Sequence, residues 1–119
     1  MSQIFLAIAS ILAGLAVAAG AFASHALKEK LAERAIEIFE TAARYQMYHA
    51  LALLVVALLL TRLDAPPPTL VAAGFAFIAG IAIFSGSLYA ISLSGIKWLG
   101  AIAPLGGAAF LLGWGCLAV

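Results

Sequence analysis

The chain is short of charge. Of its 119 residues only 11 are charged, 6 Lys or Arg and 5 Asp or Glu, which is 9%, against about 25% in an ordinary soluble domain. Hydrophobic residues make up 66%. A soluble domain of this size would leave too much of that surface in water, because small domains bury only about 60–70% of what the unfolded chain exposes. A soluble globular protein is therefore excluded. So are a disordered chain and a nucleic-acid binder, which needs a basic patch. Cysteine is nearly absent: Cys116 alone excludes an intramolecular disulfide and a cysteine-based zinc site. Period-two alternation is missing as well, and continuous apolar runs exclude a β-barrel. What remains is a single membrane domain, residues 1–119, of the all-α class.

The few charges are bunched, and the gaps between them define the spans. Residues 1–27, 45–61, 65–96 and 98–119 contain no Asp, Glu, Lys or Arg. A spanning helix needs roughly 20 apolar residues. Four spans are predicted, at about 4–24, 45–63, 70–92 and 98–117, forming a compact bundle. Arg62 snorkels outward from the second. Ala21-Phe22-Ala23-Ser24 imitates a signal-peptide cleavage site. Yet no positive n-region precedes it, and the apolar stretch exceeds the usual 7–15 or so residues, so it is read as part of the first span.

The connections differ in kind. Pro66-Pro67-Pro68 makes a stiff turn, with Thr69 placed to cap the third span. Ser92 to Lys97 is a tight turn. Between them in character is the first connection, where Leu31, Ala35, Ile38, Phe39 and Ala42 recur at helical spacing opposite Glu33, Glu37, Glu40 and Arg44. An amphipathic cytoplasmic or interfacial helix is predicted at about 28–44; it either lies in the interface plane or runs straight into the second span, and the favoured reading is an interfacial helix bending into that span near Thr41–Tyr45. Lys28, Lys30, Arg34, Arg44 and Lys97 share one side of the membrane, and Arg62 alone lies on the other. The positive-inside rule then puts the amphipathic helix in the cytoplasm and both termini outside it, in the inner membrane. Tyr45, Tyr48, Tyr89 and Trp98 fall near the cytoplasmic interface as an aromatic belt, and Trp114 is read as an anchor at the outer one.

Apolar burial does not drive helices together in lipid, so small residues that permit close approach must. Candidates are Ala9, Ala13, Gly14, Ala16, Ala18 and Gly20 in the first span, the ridge Ala72-Ala76-Gly80 in the third, and Ala103-Gly107 and Ala109-Gly113 in the fourth. The Leu-rich second span is expected to meet lipid. Pro104 is expected to kink the fourth.

One polar layer is expected just under the cytoplasmic interface. His25 ends the first span, His49 lies about one turn into the second, and Ser85, Ser87 and Tyr89 lie near the same end of the third. At 1.5 Å per residue they fall within about 10 Å of one depth. Thr41, Tyr45 and His49 form an i, i+4 row, with Glu40 and Arg44 as an ion pair beside it. An ionisable residue inside a membrane is a functional-site candidate by default. The leading reading is nevertheless structural: a neutral His49, hydrogen-bonded to Ser or Tyr, sets helix register. A proton-linked or ligand-binding role comes second. A metal site of His25, His49 and Glu40 comes third, because two histidines on separate helices are a weaker pattern than HExxH. No G-x-S-x-G or Walker sequence is present, and the spans hold no carboxylate for a proton relay. No catalytic residue, cofactor or metal site is assigned.

Several ordered motifs carry a family resemblance. They are Gly20-Ala21-Phe22-Ala23-Ser24-His25-Ala26-Leu27-Lys28, Phe39-Glu40-Thr41-Ala42 with Tyr45-Gln46-Met47-Tyr48-His49-Ala50-Leu51-Ala52, Phe84-Ser85-Gly86-Ser87-Leu88-Tyr89, and Pro104-Leu105-Gly106-Gly107 with Gly113-Trp114. Together they resemble the small membrane proteins of the domain-of-unknown-function 423 family, which is related to eukaryotic transmembrane protein 256. The resemblance implies a four-helix bacterial inner-membrane protein and carries no established activity. It also implies that His25, Gln46, His49, Ser85, Ser87 and Tyr89 belong to family motifs. The expected function is that of a non-enzymatic accessory or interaction module. The alternative is an oligomeric transporter or channel-like subunit using the polar layer. The expected partners are the lipid bilayer and a further copy or larger membrane complex, with no nucleic acid.

Overall fold

The uncharged windows fold as four helices. The computed structural model describes the whole chain, Met1–Val119, with α1 at Ser2–Leu27, α2 at Glu33–Arg62, α3 at Pro68–Ser94 and α4 at Lys97–Ala118. Each is long and apolar enough to cross a membrane. The bundle measures 51 × 27 × 18 Å, so its long axis exceeds the roughly 30 Å of a hydrocarbon core.

No separate amphipathic helix exists at 28–44. Residues 28–32 form a turn, and α2 then runs as one α-helix of 30 residues from Glu33 to Arg62. Nothing between these ends breaks it, since the stretch contains no Gly or Pro. Its apolar stripe is not laid on a membrane surface either. Phe39, Ala42 and Ala43 are buried, against α1 and α3. The second span is likewise the centre of the bundle and not its lipid-facing wall. In its most apolar stretch 44% of residues are buried, against 17% for α1. Leu53 and Val56 are fully buried, while Leu51, Leu58 and Leu59 face outward.

The prolines start helices here. Pro68 is the first residue of α3, and Pro67 takes the cap position expected of Thr69, with no side-chain cap. Pro104 lies in the first turn of the α-helical part of α4, Ala103–Ala118, after a 3-10 segment at Lys97–Ala101. Its missing N–H would have no partner there anyway, so it starts the α-helix and does not kink it. The α3–α4 turn closes on Gly95, at φ 75 in the left-handed region, whose N–H donates to Ile91 O at 2.8 Å.

One core runs through the bundle, with Phe5 from α1, Leu53 and Val56 from α2, Phe77 from α3 and Phe110 from α4. Rings sit on glycines. Phe5 covers Gly74, Phe110 covers Gly80 and Phe77 covers Gly113, each where a methyl group would collide with the ring. At Gly106 the obstacle is the backbone of Phe84. The small-residue expectation is thus met at Gly80 and Gly113. It fails at Ala72, which is exposed, and at Gly14, Gly20 and Gly107, which have open space beside them. Two π turns interrupt the helices, at Ala23–Leu27 in α1 and Ile81–Ser85 in α3.

Candidate functional site

The polar residues expected in one layer separate into two buried clusters, one exposed group and a set of backbone ties. The first cluster centres on Gln46, which is buried in α2. Its Nε2 donates to Leu12 O of α1 at 2.7 Å, and its Oε1 accepts from Tyr89 Oη of α3 at 2.7 Å. One amide therefore links three helices. Tyr89 lies over Phe39, with ring centroids 4.8 Å apart. It points into the bundle and is not part of a lipid-facing belt.

The second cluster centres on His49, also buried. Its Nδ1 lies 2.8 Å from Tyr45 O, and its Nε2 lies 3.1 Å from Trp114 Nε1. A carbonyl only accepts and an indole N–H only donates. The partners therefore assign the proton to Nδ1 and leave Nε2 as the acceptor, which makes the imidazole neutral. The ring stacks on Phe110 at 3.6 Å and 9°, and Phe77 closes the cluster at 5.6 Å. Trp114, expected as an outer anchor, is half-exposed and directs its N–H inward to His49. Tyr45 keeps an exposed ring beside Phe84, centroids 4.9 Å apart.

Serines stitch α3 to α2. Ser85 Oγ donates to Ala42 O at 2.8 Å, and Ser92 Oγ to Ala35 O at 2.6 Å. Ser87 bonds within its own helix, to Phe84 O at 3.0 Å. Ser92 was not expected. The signal for it was its spacing of seven from Ser85 with Tyr89 between them, which puts all three on one helical stripe. Trp114 had no such local signal, because its partner lies 65 positions away.

The remaining expectations are corrected. Glu40 and Arg44 do not pair. The ion pair on this face is Arg34–Glu37 at 3.4 Å, and Arg44 Nη2 instead donates to Thr41 Oγ1 at 3.4 Å. His25 is exposed on the π turn of α1 and joins neither cluster. It does not meet His49 and Glu40 as a metal site would require, and no group of three His, Cys, Asp or Glu side chains is gathered anywhere. Every buried side-chain nitrogen and oxygen has a partner.

The comparisons with known proteins decide the family. The model described as Protein of unknown function (DUF423) matches residues 19–107, most of the chain. The chain belongs to the DUF423 family. It is similar to the UPF0382 membrane protein YwdK of Bacillus subtilis (strain 168), 44% identical over 94% of this chain and 90% of the relative. It is also similar to a UPF0382 membrane protein of Staphylococcus epidermidis (strain ATCC 12228 / FDA PCI 1200), 40% identical over 94% of this chain and 89% of the relative. No solved structure matches. With four apolar helices of spanning length, this DUF423 chain is a multi-pass membrane protein, and neither of these relatives carries an enzyme name. Gln46, His49, Ser85 and Tyr89 lie within the matched stretch and Trp114 beyond it.

Proposed function

We propose that this DUF423 protein is a non-enzymatic accessory or interaction module of the bacterial inner membrane. One observation carries the reading: the buried polar side chains are committed to one another and to helix backbones. His49 has both ring nitrogens engaged and Gln46 both ends of its amide. Groups so committed hold helices in register; a proton carrier or ligand site needs one that is free to turn toward its cargo. The excess of Lys and Arg at the Lys28–Lys97 end favours both termini outside the cytoplasm. An alkaline phosphatase fused after Val119 is then expected to be active, and an inactive fusion made at normal levels overturns the orientation.

The test of the module itself is reconstitution. Liposomes carrying the purified protein are expected to show no proton or solute flux above empty ones, while extraction in mild detergent brings down a stoichiometric membrane partner. Flux that is abolished in His49→Ala overturns the accessory role. A second reading, an oligomeric transporter or channel-like subunit, has one observation in its favour. Gln46, Ser85 and Tyr89 border a groove of about 400 Å³ that opens between α1 and α3. Flux appearing only at protein densities that support oligomers establishes that alternative.

A further inference from the structure

Between α1 and α2, near their Lys28 end, lies a second groove of about 370 Å³. Ser24, Gly20 and Ala16 form one wall, and Glu40, Arg44 and Met47 the other. No residue of α3 or α4 lines it, so it faces the surroundings of the bundle. From Ser24 to Ala16 it runs about 12 Å along α1, at 1.5 Å per residue. Its mouth carries opposite charges and its inner end is apolar. The two charges stand one helical turn apart without pairing: the ion pair on this face is Arg34–Glu37, and Arg44 reaches only the Thr41 hydroxyl. Glu40 also borders an adjoining crevice lined by Glu33, Glu37 and Lys28, so the acidic side of the mouth extends away from Arg44. Gly20 has no atom within 4 Å of the place a methyl group would take, and that emptiness is the groove.

We propose that this groove binds one phospholipid whose headgroup carries both a phosphate and a primary ammonium, as in phosphatidylethanolamine. Arg44 forks onto the phosphate, the geometry guanidinium groups favour. Glu40 accepts the ammonium protons. An acyl chain lies along Gly20, Ala16 and the flexible Met47 side chain. The opposite charges at the mouth select the zwitterion. A purely anionic headgroup leaves Glu40 against the lipid's own charge, and a trimethylated one has no N–H to give it. The inference is independent of whether the protein is a module or a transporter.

The test is native mass spectrometry on the full-length, delipidated protein in detergent. It is titrated with phosphatidylethanolamine, phosphatidylcholine and phosphatidylglycerol of identical chains. Wild type is expected to retain one phosphatidylethanolamine in preference to the other two. Arg44→Gln weakens that retention roughly tenfold, the scale of one charge-assisted hydrogen bond. Glu40→Gln removes the preference over phosphatidylcholine and phosphatidylglycerol. Gly20→Leu fills the groove against open space and abolishes retention with the helical circular dichroism unchanged. Arg34→Gln, at an exposed pair outside the groove, changes nothing. Equal retention of all three lipids by wild type, preference for phosphatidylglycerol, or unaltered retention in either Arg44→Gln or Gly20→Leu overturns the proposal.

Discussion

Helix α3 is held on two sides by different means. Against α4 it has no hydrogen bond at all. That contact is made of shape, with Phe110 on Gly80, Phe77 on Gly113 and the backbone of Phe84 against Gly106. Against α2 it is stitched by Ser85, Tyr89 and Ser92. In lipid neither side gains from hiding greasy surface, so close packing and polar ties are the two devices available. The difference teaches where each fails. A packed contact fails when an atom is added, whereas a stitched contact fails when one is removed. A hydrogen bond between membrane helices contributes about 0.6 kcal/mol on average, because the separated helices also find partners. Overpacking costs about 1–3 kcal/mol. The α4 side should therefore be the more sensitive of the two.

Thermal or denaturant unfolding in detergent micelles puts that difference to measurement. The largest loss is expected for Gly106→Ala, about 3 kcal/mol, because backbone does not swing aside as a ring does. Gly80→Ala should lose less, about 2 kcal/mol, since a ring can tilt where backbone cannot, though His49 stacked on Phe110 limits how far. If the two are equal, the Phe84 backbone yields as readily as a ring and the distinction within the packed side disappears. On the stitched side, Gln46→Leu strands the Tyr89 hydroxyl and should lose about 1–2 kcal/mol. Tyr89→Phe in the same chain is expected to restore part of it, because removing both partners costs less than orphaning one. A double variant as unstable as the sum of the singles would dissolve the Gln46–Tyr89 tie. The smallest effect is expected for Ser85→Ala, about 0.6 kcal/mol. A loss beyond that of Gly106→Ala would reverse the comparison.

The spans were legible in the sequence because charge is excluded from them, and that signal needs no knowledge of packing. The run Glu33–Arg44 is ambiguous in the sequence for a physical reason, and the interfacial reading is the one that fails. An amphipathic stripe has the same period whether it meets a membrane surface or two neighbouring helices, and here Phe39 and Ala42 meet helices. Glu40 and Arg44 satisfied the i, i+4 rule without forming its ion pair, because spacing fixes proximity of positions and not the direction of long side chains. Of the polar layer the member residues were legible and the depth was not, because α2 begins at Glu33 and carries His49 about 24 Å along it, to Trp114 near the far end of α4. How it divides was not legible either, because the rotation of each helix about its axis decides whether a residue meets a partner. His49 met Trp114, which local pattern had assigned to the opposite interface, while His25 met nothing. Gln46 came only through its motif, for a lone Gln in an apolar run announces no partner.

The π turn at Ile81–Ser85 gives α3 its two-sided character a further meaning. A π turn carries one residue more than an α turn, and one residue is about 100° of rotation at 3.6 residues per turn. The part of α3 beyond it is therefore out of phase with the part before it, like a camshaft cut and rejoined at an angle. Glycine seats on the earlier part and serine ties on the later part are each correctly timed only because of that offset. Deleting a single residue there would leave the helix intact, hydrophobic and of spanning length. It would nonetheless turn Ser85, Tyr89 and Ser92 away from α2 together.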